Sequence, residues 1–221
     1  MTFEIASTVS GPHARARIVT AGRPATEAGS ALVLIHGRGA SAEDIMALAR
    51  TLDAPESALV APQAQQGTWY PYSFLAPLER NEPHLSSALM LVGAIVGLLE
   101  ENGIPKARQL LLGFSQGGCL ALEFVGRNAR RYGGVAGMSA GLIGPPGRQW
   151  DFGGSLEGTP VFIGCSDRDP HIPQERVEES GRELARIGGA LDVRIYPGLG
   201  HTVNRDELDR LQQMVEAVHR K

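Results

Sequence analysis

Short apolar segments alternate along this chain with longer segments whose apolar residues recur at helical spacing. The short segments cover 31–36, 58–61, 109–114, 134–139, 160–164 and 191–196. Several of them are apolar at every position, which is typical of strands buried on both faces of a parallel sheet. A weaker alternation at 14–20 predicts an edge strand near the start.

The longer segments carry the signals with which helices begin. Ser41 is placed to cap a first helix, and Pro83 suits the first turn of a second. Asn204 followed by Glu207 is a variant capping box that opens the last helix. Strands alternating with helices predict an α/β fold, in which helices flank a mostly parallel central sheet of about seven strands.

Composition bounds the class of protein. A chain of 221 residues with 43% hydrophobic residues suits one domain over 1–221. The net charge of −3 disfavours a nucleic-acid partner. Cys119 and Cys165 are too few and too far apart for a disulfide framework or a cysteine zinc site, which predicts a reducing, cytoplasmic location. We expect neither a signal peptide at the N-terminus nor a membrane span, because no long apolar run occurs.

Two segments interrupt the alternation of strands and helices. The connection 63–83 concentrates four aromatic residues, and a long loop of this kind is often functional. We predict that its aromatics wall a binding site, the alternative being a loop folded onto the core. They are Trp69, Tyr70, Tyr72 and Phe74. The second segment, 140–158, is rich in Gly and Pro and too short for a helical cap domain, which predicts an open site.

The pattern GxSxG, in which a serine stands between two glycines, occurs at 113–117 and at 137–141. A nucleophile elbow needs a strand before the serine and a helix after it. Ser115 has both, whereas Ser139 leads into a segment that Gly and Pro keep from being helical. Ser115 is therefore the candidate nucleophile, and the backbone N–H of Gln116 is placed to stabilise an oxyanion at the start of the following helix.

A serine hydroxyl needs a base, and in this type of fold the chain order is serine, acid, histidine. His201 follows the last predicted strand, at the carboxyl edge where α/β folds build their sites, and is the candidate base. The other five histidines fail on chain order or position. Asp167 and Asp169 both follow the penultimate strand, and their positions alone do not choose between them.

Four ordered motifs resemble the phospholipase/carboxylesterase family, also called the acyl-protein thioesterase-like esterases. They are HGRGAS at 36–41, GFSQGG at 113–118, DRDPHIP at 167–173 and PGLGHTV at 197–203. The resemblance covers nearly the whole chain from about residue 31 and implies the α/β-hydrolase fold. The aromatic stretch at 67–74 resembles the bacterial members more than the eukaryotic depalmitoylating ones.

The resemblance also implies roles for particular residues. The family's acid stands directly before a proline, which selects Asp169 and leaves Asp167 as a supporting turn residue. Its second oxyanion donor is the backbone N–H after His-Gly, which is Arg38 here. Many members have an apolar residue at that position and an acidic one after the next glycine, where this chain has Ala40, so the family's substrate preference does not carry over directly.

The predicted function is hydrolysis of short- to medium-chain carboxylic esters through an acyl-enzyme on Ser115, with His201 as base and Asp169 orienting it. The partner is a small-molecule ester or thioester, and no cofactor or metal is implied. A thioesterase acting on acylated proteins or acyl-CoA is the first alternative, and a non-catalytic ligand-binding module on a hydrolase scaffold is the second. A homodimer is left open. We expect His36 to shape the oxyanion turn and Cys119 to be packed.

Overall fold

The computed structural model describes residues 9–219. Its seven strands are β1 (Ile18–Gly22), β2 (Ser30–Ile35), β3 (Ser57–Pro62), β4 (Gln109–Phe114), β5 (Gly134–Met138), β6 (Pro160–Ser166) and β7 (Ala190–Tyr196). They form one sheet in the order β1-β3-β2-β4-β5-β6-β7. β1 runs antiparallel to β3, and every other neighbouring pair is parallel.

Within the described residues, five α-helices cover the two faces of the sheet: α1 (Ala42–Ala49), α2 (His84–Glu101), α3 (Gln116–Arg127), α4 (Gln174–Arg186) and α5 (Arg205–His219). Side chains alternate between the faces along each strand, so β2 sends Val33 and Ile35 into one core and Leu32 and Leu34 into the other. The first core lies under α2, α3 and α4, and the second lies under α1 and α5. The chain has the α/β-hydrolase fold, as predicted.

Strands β2 to β7 agree with the prediction to within two residues at each end, whereas β1 does not. The alternation of apolar and polar residues predicts a strand over 14–20, but β1 begins at Ile18. Before it, the amide of Ala14 bonds to the carbonyl of Gly11 and that of Ala16 to the carbonyl of His13. These local turns occupy the backbone groups that a strand would offer to β3.

Both predicted capping interactions are present. Ser41 Oγ accepts a hydrogen bond from the Asp44 amide, and the Asp44 carboxylate accepts one from the Ser41 amide at 2.8 Å. At α5, Asn204 Oδ1 accepts from the Glu207 amide at 2.9 Å, and the Glu207 carboxylate accepts from the Asn204 amide at 2.8 Å. These reciprocal pairs satisfy amides that have no partner inside their helices.

The hydrophobic pattern of the sequence does not predict helix α4. Its segment is mostly charged, and Val177 and Leu184 are the large apolar residues that it buries. Arg176 is also almost fully buried, and it donates hydrogen bonds to the carbonyls of Leu142, Gly144 and Pro145. In the sequence, a buried arginine cannot be distinguished from one that faces solvent. The hydrophobic pattern therefore does not reveal which face of α4 packs against the sheet.

The connection between β5 and β6 contains no helix, in agreement with the predicted lack of a cap domain. It lies flat on the fold, because the buried Glu123 accepts a hydrogen bond from the Ile143 amide and Arg176 holds the carbonyls that follow.

Helix α2 is the one described helix that is long and apolar enough to cross a membrane by length and composition. That is weak evidence, because core helices pass the same test. Eight of its residues are buried in the structure, as expected of a helix that packs on a sheet. The segment to which the signal-peptide prediction applies lies mostly outside the described residues.

Candidate active site

Ser115 stands in a strained turn between β4 and α3. Its φ of 53° and ψ of −122° lie in a region that residues with side chains rarely adopt. The turn is possible because its neighbours are glycines: a Cβ on Gly117 would lie 2.2 Å from the Ile35 carbonyl oxygen, and one on Gly113 would lie 2.4 Å from the Gly117 backbone. Strand β4 and helix α3 therefore meet closely and raise Ser115 above the sheet edge.

Ser115, His201 and Asp169 form one chain of hydrogen bonds. His201 Nε2 lies 2.9 Å from Ser115 Oγ, and His201 Nδ1 lies 2.7 Å from Asp169 Oδ2. A carboxylate at Nδ1 holds the proton on that nitrogen, so Nε2 is free to accept the hydroxyl proton of Ser115. The three residues come from the ends of β4, β6 and β7, which adjoin or nearly adjoin in the sheet.

Asp169 faces His201, and Asp167 does not. The second oxygen of Asp169 accepts hydrogen bonds from the amides of His171 and Ile172 at 2.8 and 3.1 Å. Burial disfavours the charged carboxylate, but these bonds and the one to His201 outweigh burial and lower the pKa of Asp169. Asp167 accepts a hydrogen bond from the Gly198 amide at 2.7 Å, so it supports the loop that carries His201.

Ser139, the serine of the second GxSxG pattern, lies inside the protein. It is fully buried after β5, and no helix follows it. His219, at the end of α5, bonds to Ser57 on the far side of the molecule, at 2.9 Å. Neither side chain takes part in the hydrogen-bond chain of Ser115, His201 and Asp169.

Two backbone amides near Ser115 are candidate oxyanion donors. Gln116 follows Ser115 in the chain, and Arg38 follows Gly37, on which a Cβ would lie 3.5 Å from the Ser115 Cβ. Within residues 9–219, neither N–H donates a hydrogen bond to another backbone group. Gln116 is the first residue of α3, so its N–H has no acceptor inside the helix. Arg38 lies in the turn after β2, where Gly39 and Ala40 donate their own amides to Gly67 and Gly37. Two free amides beside a serine hydroxyl are the donor set that an oxyanion requires.

A cavity of about 450 Å³ opens over Ser115 and His201. Three of the four predicted aromatics line it: Tyr70, Tyr72 and Phe74. Trp69 does not, and the prediction for that residue is wrong. Trp69 is fully buried, and its indole N–H donates to the carbonyl of His36 at 2.8 Å, so it is a structural residue beneath the cavity.

Among residues 9–219, no group of three His, Cys, Asp or Glu side chains is placed to hold a metal ion. A family model described as phospholipase/carboxylesterase matches residues 13–219, which is most of the chain. The chain belongs to the phospholipase/carboxylesterase family. This membership agrees with the resemblance that the four sequence motifs indicate.

Several relatives of this family resemble the chain. The crystal structure of a phospholipase/carboxylesterase from Dyadobacter fermentans has 42% identity and a TM-score of 0.89, and the match covers 94% of this chain and 99% of that one. Acyl-protein thioesterase 1 of Gibberella zeae is 32% identical over 118 residues, which are 51% of this chain and 48% of that protein. A probable carboxylesterase SOBER1-like protein of Arabidopsis thaliana is 27% identical over 137 residues, 62% of this chain and 52% of that protein. The chain thus spans about half the length of the curated relatives it matches.

In this family member the side chain of Arg38 fastens the cavity wall. Its guanidinium donates to the carbonyls of Tyr70 and Pro71 at 2.9 Å each and to that of Tyr72 at 2.7 Å. Gln116 holds the same segment from the other side, accepting from the Trp69 amide and donating to the Tyr70 carbonyl. The two residues whose amides flank Ser115 therefore also fix the aromatic wall, which no local sequence pattern indicates.

His171, Ile172 and Cys119 also line the cavity, and sequence reasoning did not assign them to a binding site. The His171 ring stands edge-on to that of His201, with 4.8 Å between the centroids. Its position inside the same DPHIP motif as Asp169 was the available signal. Burial raises the pKa of the Cys119 thiol to about 12, so Cys119 contributes an apolar surface and not a thiolate. Cys165 is buried as well, and its thiol pKa is also raised to about 12 by burial.

Two buried histidines support the segment beneath the cavity. The amide of Ala64 donates to His36 Nε2 at 3.1 Å, so Nδ1 carries the proton that is donated to the Gly37 carbonyl. His13 has the opposite tautomer, with Nδ1 accepting from Gln65 and Nε2 donating to the Trp69 carbonyl. Both rings are therefore neutral, and His36 supports the turn that carries Arg38, the structural role expected from the sequence.

We expect acidification to destabilise the fold through these two histidines. Burial lowers the pKa of both from the ordinary value of 6.5, and their hydrogen bonds to backbone carbonyls offset burial only in part. Below pH 6.5, these two histidines bind protons in the unfolded chain more readily than in the folded one. The stability is therefore complete above about pH 6.5 and is lost as the pH falls, by up to about 1.4 kcal/mol per pH unit for each histidine. Thermal unfolding at about pH 7.5 and about pH 5 measures the loss.

The pH dependence of stability needs a control variant, because Glu207 stabilises the fold as the pH falls, whereas the two histidines destabilise it. Burial raises the pKa of Glu207 to about 7, so its contribution to stability grows as the pH falls from 7 towards 4.5. The variant His13→Gln keeps Glu207 and removes one neutral histidine. We expect its Tm to fall less between the two pH values than that of the wild type. Equal falls in the two proteins would contradict the prediction.

Proposed function

We propose that the protein is a serine carboxylesterase that hydrolyses short- to medium-chain carboxylic esters through an acyl-enzyme on Ser115. The observation that carries the proposal is the hydrogen-bond chain from Asp169 through His201 to Ser115, with distances of 2.7 and 2.9 Å. A non-catalytic module has no need for a serine raised in a strained turn against an oriented histidine. Family membership supports the same reaction class.

In the acylation step, Ser115 Oγ attacks the carbonyl carbon of the ester while His201 Nε2 takes the hydroxyl proton. The carbonyl oxygen becomes an oxyanion, and the amides of Arg38 and Gln116 stabilise it. The imidazolium is stabilised by Asp169, which stays ionised because its pKa is lowered. His201 then donates the proton to the leaving oxygen, the carbon–oxygen bond breaks, and an alcohol departs.

In the deacylation step, water takes the place of the alcohol. His201 accepts a proton from the water as its oxygen attacks the acyl-enzyme carbon, and the same two amides hold the second oxyanion. The proton returns to Ser115 Oγ as the ester bond to the serine breaks and the carboxylic acid leaves. No bound cofactor enters this sequence, because every proton transfer is accounted for by Ser115, His201 and water.

The size of the cavity supports the proposed substrate class. Its volume of about 450 Å³ lies towards the lower end of the usual range for small-molecule sites. The wall cannot easily retreat, because Arg38 and Gln116 hold its backbone with hydrogen bonds. A preformed and modest cavity favours acyl chains of limited length.

A chain-length series of p-nitrophenyl esters, from acetate to palmitate, tests this proposal. We expect kcat/KM to be highest among the short to medium esters and to fall by about tenfold or more towards palmitate. Equal or higher activity on the longest chains would overturn the size assignment. Comparing the series with a Ser115→Ala protein separates enzymatic turnover from background hydrolysis.

The thioesterase alternative uses the same residues and is favoured by the name that three curated relatives share, acyl-protein thioesterase 1. Matched pairs of an oxygen ester and a thioester with the same acyl group discriminate between the two. A kcat/KM that is at least as high for the oxygen ester supports the carboxylesterase. The homodimer, the cytoplasmic location and the single domain over 1–221 stay predictions.

A further inference from the structure

A second depression adjoins the candidate active site. Its volume is about 330 Å³, and it lies between α1 and the loop that follows His201. Gly37, Ala40, Phe114 and His201 line both this depression and the catalytic cavity, whereas Ser115 lines only the cavity. His201 therefore forms part of a wall that the two spaces share. We call this depression the α1 groove.

We propose that the α1 groove binds the alcohol portion of the ester, and that this portion is an uncharged, apolar alcohol. The proposal rests on the proposed ester hydrolysis and names the substrate class for it. The catalytic cavity then holds the acyl portion. The groove combines residues of three family motifs with Asp44, Ile45 and Leu48 of α1, which lie outside those motifs.

The position of His201 determines which end of the ester enters the groove. In the tetrahedral intermediate, the carbon carries the oxyanion, Ser115 Oγ, the acyl group and the leaving oxygen. His201 Nε2 must donate its proton to the leaving oxygen, so that oxygen is the substituent placed against His201. A group that extends beyond the leaving oxygen runs past His201, where the α1 groove begins.

The lining of the groove determines the chemistry of the alcohol. Ile45, Leu48, Phe114 and Val203 give it an apolar surface. The charged side chain in the lining is Asp44, and hydrogen bonds from Ser41 lower the pKa of that carboxyl, so it is ionised. Lys and Arg are absent from the described residues that line the groove. A negative edge without cations disfavours a polyanionic leaving group such as coenzyme A. The Asp44 carboxylate is already engaged by Ser41, so the apolar side chains offer the remaining binding surface, and they favour an uncharged, apolar alcohol.

The proposal has a kinetic consequence that a merely structural role would not produce. The alcohol departs before deacylation, so the groove is empty of substrate when water attacks. A substitution that fills the groove should slow formation of the acyl-enzyme from bulky alcohol esters. It should leave the deacylation rate of a given acyl-enzyme unchanged, because that intermediate is identical whichever ester formed it.

The experiment compares methyl, butyl and benzyl butyrate with the wild type and with Leu48→Trp, since Leu48 is half-buried in the groove lining. We expect the ratio of kcat/KM for benzyl butyrate to that for methyl butyrate to fall by about tenfold or more. The dependence on acyl length, measured with methyl esters, should not change. Leu48→Ala is the second variant, and we expect it to raise the same ratio by enlarging the groove.

Ala47→Trp is the matched control, because Ala47 lies on α1 beside Leu48, is exposed and does not line the groove. We expect its alcohol profile to equal that of the wild type. The proposal would be overturned if the benzyl-to-methyl ratio of kcat/KM were unchanged in both Leu48 variants. It would also be overturned if these variants changed the dependence on acyl length, because the groove would then hold the acyl portion and not the alcohol. If the wild type hydrolysed no ester, the proposed function itself would fail, which is a distinguishable result.

Discussion

Replacing Ser115 with alanine lowers kcat for p-nitrophenyl butyrate by about 10⁴-fold or more in our expectation. The substitution removes the oxygen that lies 2.9 Å from His201 Nε2 and that forms the acyl-enzyme. His201, Asp169 and the two amides remain, so a small residual rate above that of water is expected from stabilisation of the oxyanion alone. Steady-state kinetics with a check of Tm measure the effect on a protein known to be folded.

Ser139→Ala is the matched control, because Ser139 occupies the centre of the second GxSxG pattern. Its hydroxyl is fully buried and has no hydrogen-bond partner within residues 9–219. Losing a hydroxyl without a partner costs little, so we expect kcat to stay within about twofold of the wild type. A Ser115→Ala protein as active as the wild type would instead favour a different nucleophile, and inactivity of the wild type on esters and thioesters would favour the non-catalytic module.

Asp169→Asn is expected to lower kcat by about 10⁴-fold with little change in fold. An asparagine side chain that offers its NH₂ group to His201 Nδ1 favours the tautomer with the proton on Nε2, where it cannot accept from Ser115. The variant also removes the charge that stabilises the imidazolium, at a contact of 2.7 Å. The carbonyl oxygen of asparagine can still accept from the amides of His171 and Ile172, which preserves the turn.

Asp167→Asn carries the same chemical change two residues away and is the control for Asp169→Asn. Asp167 contacts the Gly198 amide through one oxygen, and an asparagine carbonyl can keep that bond. We expect kcat to fall by less than about tenfold, through slight loosening of the loop that carries His201. A larger loss in Asp167→Asn than in Asp169→Asn would transfer the role of the acid to Asp167.

The strands, the order of the catalytic candidates and the caps could be read from the sequence because each depends on neighbours in the chain. A strand between two helical layers must be apolar on both faces, and β2, β3 and β4 show this directly. A nucleophile elbow needs glycines at defined offsets from the serine, and Gly113 and Gly117 meet that need because their missing Cβ atoms would overlap backbone atoms. The selection of Asp169 over Asp167 required the family resemblance, since both follow the same strand.

Within the aromatic segment 67–74, the sequence pattern does not predict which side chains are buried. Trp69 and Tyr72 are both large aromatic residues of the same loop, yet Trp69 is fully buried and Tyr72 is 46% exposed. Their burial depends on hydrogen bonds to residues from other elements. The Trp69 indole N–H donates to the His36 carbonyl, and the Arg38 guanidinium donates to the Tyr72 carbonyl. These partners lie more than thirty residues away in the chain.

The sequence by itself determined the α/β architecture, the identity of Ser115 and His201 as candidates, and the capping of α1 and α5. Only the tertiary structure decided that the side chains of Arg38 and Gln116 hold the cavity wall and that Arg176 is buried as a bridge. It also decided that a second groove adjoins His201. The physical reason is range: periodicity and caps report interactions within a few residues, whereas a cavity wall or a groove is made where distant segments meet.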